Sequence, residues 1–169
     1  PLEFARHTQV ADNRSHGNFR YGLHFMFSDS CAYDRNRFEA NGAGVAVMYS
    51  RNVEMTSNLF AHNWGSASYG LLLKEMSGGR ITDNHFDHNT AGISMYGSNR
   101  MTIERNDFRE NGWAIQVQSS SSDNTYKDNN FSANSFDIAA DGDLDNNRFD
   151  HNYWDKYEVY DLKRDGIGN

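Results

Sequence analysis

Three groups of side chains in this sequence have types and spacings suited to binding a metal. The first lies in two segments 22 residues apart, Gly22-Leu23-His24-Phe25-Met26-Phe27 and Gly44-Val45-Ala46-Val47-Met48-Tyr49. If Leu23, Phe25, Val45 and Val47 point into a core, strand alternation turns His24, Met26 and Met48 outward on one face. His24 and Met26 then sit roughly 7 Å apart along the strand, with Met26 and Met48 as stacked neighbours. Imidazole and thioether together suit copper(I), a soft ion, better than calcium or magnesium, which prefer oxygen. Met76, at the turn of the following coil, is expected to add a sulfur if its loop bends toward that face. The plainer reading of the same residues is a contact surface, since methionine adapts to many partners.

The second group is His62 and His88, stacked one coil apart, with His85 close by. Two imidazoles about 4.8 Å apart in backbone spacing have the reach to share a metal, though solvated turn positions explain them equally. His151 is expected in the same column, too many coils away to join them. The third group is acidic. Asp141-Gly142-Asp143-Leu144-Asp145 alternates carboxylates as calcium loops do, and strand alternation with Leu144 inward explains Asp143 and Asp145 without an ion. Asp161 to Gly166 is a thinned version with too few oxygen donors.

The elements that position these groups come from a repeat. The pattern N-x-F-x-x-N recurs with its phenylalanine at Phe38, Phe60, Phe86, Phe108, Phe131 and Phe149, separated by 22, 26, 22, 23 and 18 residues. Asn36, Asn58, Asn84, Asn106, Asn129 and Asn147 precede it. Asn41, Asn63, Asn89, Asn111, Asn134 and Asn152 follow it. A weaker copy has Ser15 between Asn13 and Asn18. Each copy carries two short strand-like segments. One supplies the inward column Val10, Tyr33, Met55, Ile81, Ile103, Tyr126 and Leu144. The other supplies Leu23, Val45, Leu71, Ile93, Ile115 and Ile138, then Phe25, Val47, Leu73, Met95, Val117 and Ala140.

Period-two alternation between Asn, Gly and Ser turns, at a repeat near 22 residues, predicts an all-β right-handed parallel β-helix of about seven coils. Handedness follows from the rule for parallel crossovers. The Phe column becomes a core ladder. Asparagine, which tolerates left-handed backbone and offers both donors and an acceptor, becomes a hydrogen-bonding ladder. The coil carrying Trp64-Gly65-Ser66-Ala67-Ser68-Tyr69 is longer than the others, and lengthened loops on a solenoid serve binding. The coil ending at Phe149 is read as four residues short.

A chain of 169 residues with a net charge of -7 argues against nucleic acid and anionic membrane as partners, both of which select basic patches. One proline and dispersed glycines leave no linker, so residues 1–169 read as one domain, with 151–169 as a possible end cap. The single cysteine, Cys31, forms no internal disulfide. No apolar run spans a membrane. The chain begins and ends within the repeat, as the C-terminal part of a longer rod would, and open coil ends would let it self-associate.

The run Phe19-Arg20-Tyr21-Gly22-Leu23-His24-Phe25-Met26-Phe27-Ser28, the N-x-F-x-x-N coils, and the ending Asn152-Tyr153-Trp154-Asp155-Lys156-Tyr157 with Tyr160-Asp161-Leu162 and Asp165-Gly166-Ile167-Gly168 resemble the NosD family. These are periplasmic β-helical subunits of an ABC-type system that matures nitrous oxide reductase. The resemblance implies a periplasmic, non-catalytic protein that receives or hands on copper, working with ABC transporter subunits, a copper chaperone and the reductase. It maps that role onto His24, Met26 and Met48.

The competing expectation is a carbohydrate-binding or carbohydrate-active β-helix, with Trp64, Tyr69, Tyr96 and Trp113 as sugar platforms. It lacks the convergent carboxylate pair that such chemistry requires. A third reading is a structural solenoid whose His and Met side chains only contact partners.

Overall fold

The computed structural model describes residues 1–118, 120–142, 144 and 146–156. The chain winds as a parallel β-helix with three seven-stranded sheets. The first sheet runs β1 (Leu2–Glu3), β4 (Tyr21–Met26), β7 (Ala43–Met48), β10 (Leu71–Lys74), β13 (Ala91–Tyr96), β16 (Trp113–Gln118), β19 (Phe136–Ala140). The second runs β2 (Gln9–Ala11), β5 (Ala32–Asp34), β8 (Arg51–Thr56), β11 (Ser77–Thr82), β14 (Asn99–Glu104), β17 (Thr125–Lys127), β20 (Arg148–Asp150). The third runs β3 (Arg14–His16), β6 (Arg37–Glu39), β9 (Leu59–Ala61), β12 (His85–Asp87), β15 (Asp107–Arg109), β18 (Asn130–Ser132), β21 (Tyr153–Trp154).

Stacking like residues fills the bore. Phe38, Phe60, Phe86, Phe108 and Phe131 form a ladder with ring centroids 4.7–5.5 Å apart. Val45, Leu71, Ile93 and Ile115 line the first sheet's inner side at 0% exposure. At Gly22, Gly70 and Gly92 the chain passes so close to this ladder that a Cβ would meet Phe38, Phe60 and Phe108 respectively, and at Gly44 it would meet the Gly70 backbone and the Asn63 side chain. These glycines therefore face inward directly before an inward residue, and Tyr21, Ala43, Tyr69 and Ala91 ahead of them face out.

Each coil turns its corners through left-handed residues. Among the described residues, non-glycine positions from Asp12 and Arg35 to His62, His88 and Glu110 hold φ between 49° and 60°. The residue in the strained region is the one before each asparagine, as in Ser57-Asn58 and His88-Asn89, whereas the asparagine itself was expected there. The asparagine instead closes the corner. Asn84 Nδ2 donates to Asn106 Oδ1 at 3.0 Å and to Met55 O at 2.9 Å, and Asn84 N–H donates to the same Oδ1 at 3.0 Å. With both amide ends satisfied, the side chain is buried at 1% exposure without penalty.

The register of the last coil differs from the sequence expectation. Phe149 pairs with Tyr126 on the second sheet, and Trp154 takes the place beside Phe131 on the third. Asn147 accordingly continues from Asn124, and Asn152 from Asn129. The coil is not short. Asn124-Thr125-Tyr126-Lys127-Asp128-Asn129 has the same N-x-aromatic-x-x-N form one sheet earlier, so the motif alone fits two positions. Stacking decides between them, since Trp154 lies 4.3 Å from Phe131 and Phe149 4.7 Å from Tyr126. Leu144 leaves the expected column and only borders the core. His151 falls at the corner of Arg105 and Asp128, not at that of His62 and His88.

Candidate functional site

The outer face of the first sheet is built by β4, β7 and β10. Parallel pairing places Met26 beside Met48 and His24 beside Ala46. Both methionines are half-buried. The His24 ring packs on Tyr21, with centroids 4.9 Å apart and planes tilted by 31°. Its Nε2 is buried and has no hydrogen-bond partner. A buried nitrogen without a partner loses its hydration with no return, so a position that keeps one is suited to an incoming donor or cation.

Tyr69 follows Tyr21 two coils on in the same outward column, with Ala43 between them. Burial, with the Tyr21 hydroxyl alongside, pushes the Tyr69 phenol well above its ordinary pKa. A cavity lined by Leu2, Arg20, Tyr21, Leu23 and His24 opens next to this group.

Met76 does not belong to this face. Its side chain is 1% exposed and packs into the core at the corner after β10. The inward position is the apolar solution for that turn, and the sulfur expected outside is spent on filling the bore.

The second histidine group is brought together in part. The His62 and His88 rings lie 5.1 Å apart. Both nitrogens of His88 are engaged by carboxylates, Nδ1 with Asp87 Oδ2 at 3.0 Å and Nε2 with Glu110 Oε2 at 2.7 Å. His85 turns to Asp107, with Nδ1 3.3 Å from Oδ2. Among the described residues no group of three or more His, Cys, Asp or Glu side chains has a metal-binding arrangement. A soft-metal site made of one imidazole and two thioethers is of a different composition. Asp141 is exposed after β19, and Asp143 and Asp145 lie outside the described residues, as does most of the expected end cap.

The aromatic side chains expected to bind sugar do not form one platform. Trp64 is exposed in the corner between β9 and β10, and Tyr69 is half-buried just before β10. Trp113 stacks on Phe136 at 5.9 Å, and Tyr96 stands in the Met48–Lys74 column.

Copper(I) suits the donor types on the first sheet's face, because the thioethers of two register partners and an unengaged imidazole nitrogen are soft or borderline ligands. A family profile described as periplasmic copper-binding protein (NosD) matches residues 2–163. The chain belongs to the NosD family. No curated protein matches it at a significant level. Copper binding in the periplasm is thus the description attached to the NosD family, and in this NosD chain the face of His24, Met26 and Met48 has the donor chemistry for it. No helix among the described residues is long and apolar enough to cross a membrane.

Tyr21 and Tyr69 were missed as parts of this face. The column Tyr21, Ala43, Tyr69, Ala91 alternates large and small, a signal visible once the inward glycines fix its direction.

Proposed function

We propose that this chain is a non-catalytic accessory protein that carries copper(I) on the outer face of its first sheet during maturation of nitrous oxide reductase. It would receive the ion from a copper chaperone, act together with an ABC-type transporter, and give the ion up to the enzyme. Copper is cargo in this reading. Thioether ligands are neutral and exchange readily, which suits an ion that must be released as well as held.

The observation that supports the reading is the register pair Met26–Met48 on the strand that also carries His24, whose Nε2 has no partner. The experiment is an anaerobic titration with copper(I) against a chromogenic chelator, in parallel with His24→Ala and Met48→Ala. The expected result is one copper per chain, with affinity lowered about tenfold or more in each variant, the loss of one metal–ligand contact worth at least about 1.4 kcal/mol. Equal affinity in all three proteins would overturn it.

A further inference from the structure

The donors of the metal face are neutral, and the charges around them are unevenly placed. Register pairing sets Glu3 beside Met26 at one end of the outward column and Lys74 beside Met48 at the other, each step being about 4.8 Å. Glu3 is exposed, so water and salt weaken its field. Lys74 is half-buried. The floor beside it is apolar and covered, since Ala46 and Leu72, register neighbours in the adjacent outward column, are 0% and 8% exposed. Such surroundings raise the effective strength of a charge.

Among the described residues no carboxylate pairs with this ammonium. Glu75, next in the chain, carries its own carboxylate to the following coil, where a Cβ on Gly97 would stand 2.8 Å from Glu75 Oε1. The other cation near the face, Arg20, lies 5.9 Å over the Tyr21 ring on the side of His24, and it adds to the positive sign. Three neutral donors therefore stand beside an uncompensated lysine.

We propose that Lys74 is a charge filter for the metal face, admitting a monovalent ion and disfavouring divalent ones. Repulsion between the ammonium and an ion at Met48 scales with the charge of the ion. Copper(I) brings one positive charge and zinc(II) two, so the penalty doubles in free energy and its factor is squared in affinity. Donor softness favours copper(I) already, and Lys74 adds discrimination against divalent ions that an imidazole also attracts. The same repulsion eases release of the cargo. This rests on the copper reading above.

The test is a competition titration of the natural sequence, Lys74→Gln and Lys74→Arg against a chromogenic chelator, with copper(I) under anaerobic conditions and separately with zinc(II). Lys74→Gln removes the charge and Lys74→Arg keeps it. In Lys74→Gln the copper(I) affinity should rise about fivefold and the zinc(II) affinity about twenty-five-fold, the square of that factor. Both gains should shrink at about 1 M salt, where the screening length falls to about 3 Å. Lys74→Arg should match the natural sequence, a rescue that a purely packing role would not give. Equal factors for the two ions, no change in Lys74→Gln, or zinc(II) binding still undetectable in Lys74→Gln would overturn the filter, and copper(I) binding by the natural sequence would then leave the copper reading standing. Copper(I) bound by Lys74→Gln alone would support the filter and overturn the copper reading for the natural chain. No copper(I) bound by either protein would overturn both.

Discussion

The Nδ2 of Asn84 donates to Oδ1 of Asn106 at 3.0 Å, and the backbone N–H of Asn84 donates to that same oxygen. One oxygen thus satisfies two buried donors. Asn106 also returns its own Nδ2 to Ile81 O at 2.8 Å. Replacing Asn106 by Ala removes the partner of the Asn84 N–H and the donor to Ile81 O, while Asn84 Nδ2 keeps Met55 O and Thr82 O. With each orphaned group costing about 1–3 kcal/mol, a loss of about 2 kcal/mol or more is expected. Urea unfolding reads it directly, and a change below about 1 kcal/mol would show that water replaces the side chain.

Met76→Ala separates core from site. The side chain is 1% exposed among core residues, so truncation should cost about 2–5 kcal/mol in unfolding. Copper(I) affinity of the folded variant should stay at that of the natural sequence. A loss of affinity with stability intact would place its sulfur among the ligands.

Trp154→Ala tests the register of the last coil. Its ring lies 4.3 Å from Phe131 and nearly coplanar with it, at 6°. Removing an aromatic from such a stack should lower stability by about 3 kcal/mol. If Phe149, rather than Trp154, continued the phenylalanine ladder, Trp154→Ala would be close to neutral in the same unfolding experiment.

His88 should be silent toward metal. Its nitrogens face Asp87 and Glu110, so binding a metal there would require breaking one of these contacts. His88→Ala is expected to leave copper(I) stoichiometry and affinity unchanged. A drop in either would restore the His62–His88 column as a candidate.

Acid should loosen the corners. Hydrogen bonds from Arg35, Arg51 and Arg37 hold the carboxyls of Asp12, Asp29 and Glu39 below their usual range. Because the folded pKa values are depressed, the stability they contribute is present above the unfolded values, near 4. It disappears as pH falls through the folded ones. The urea midpoint should be level from about pH 7 to 5 and decline below about 4. An unchanged midpoint at about pH 3 would mean these surface pairs are screened out.

The repeat made most of this fold readable in advance, because each asparagine must sit where its amide meets the next coil. Every inward column from Val10 to Tyr126 follows from alternation. The last coil escaped because Asn124–Asn129 and Asn129–Asn134 present the same pattern on adjacent sheets, and only the packing of Trp154 and Phe149 separates them. At the candidate site, Met26 and Met48 were legible from alternation within equal coils. Met76 was not, since alternation does not carry through a left-handed corner. The packing of Tyr21 on His24 depends on a glycine that faces inward against the period, which a strict strand pattern does not reveal.

The left-handed corners have a further consequence. Because the strain falls on the residue before the asparagine, and that side chain projects outward, the corner accepts Arg35, Ser57, Asp83, Arg105 or His88 with the same backbone. The scaffold therefore tolerates almost any lettering along its edges. Each edge becomes a ruler graduated once per coil, on which surface chemistry can be rewritten one mark at a time while the interior stays as it is.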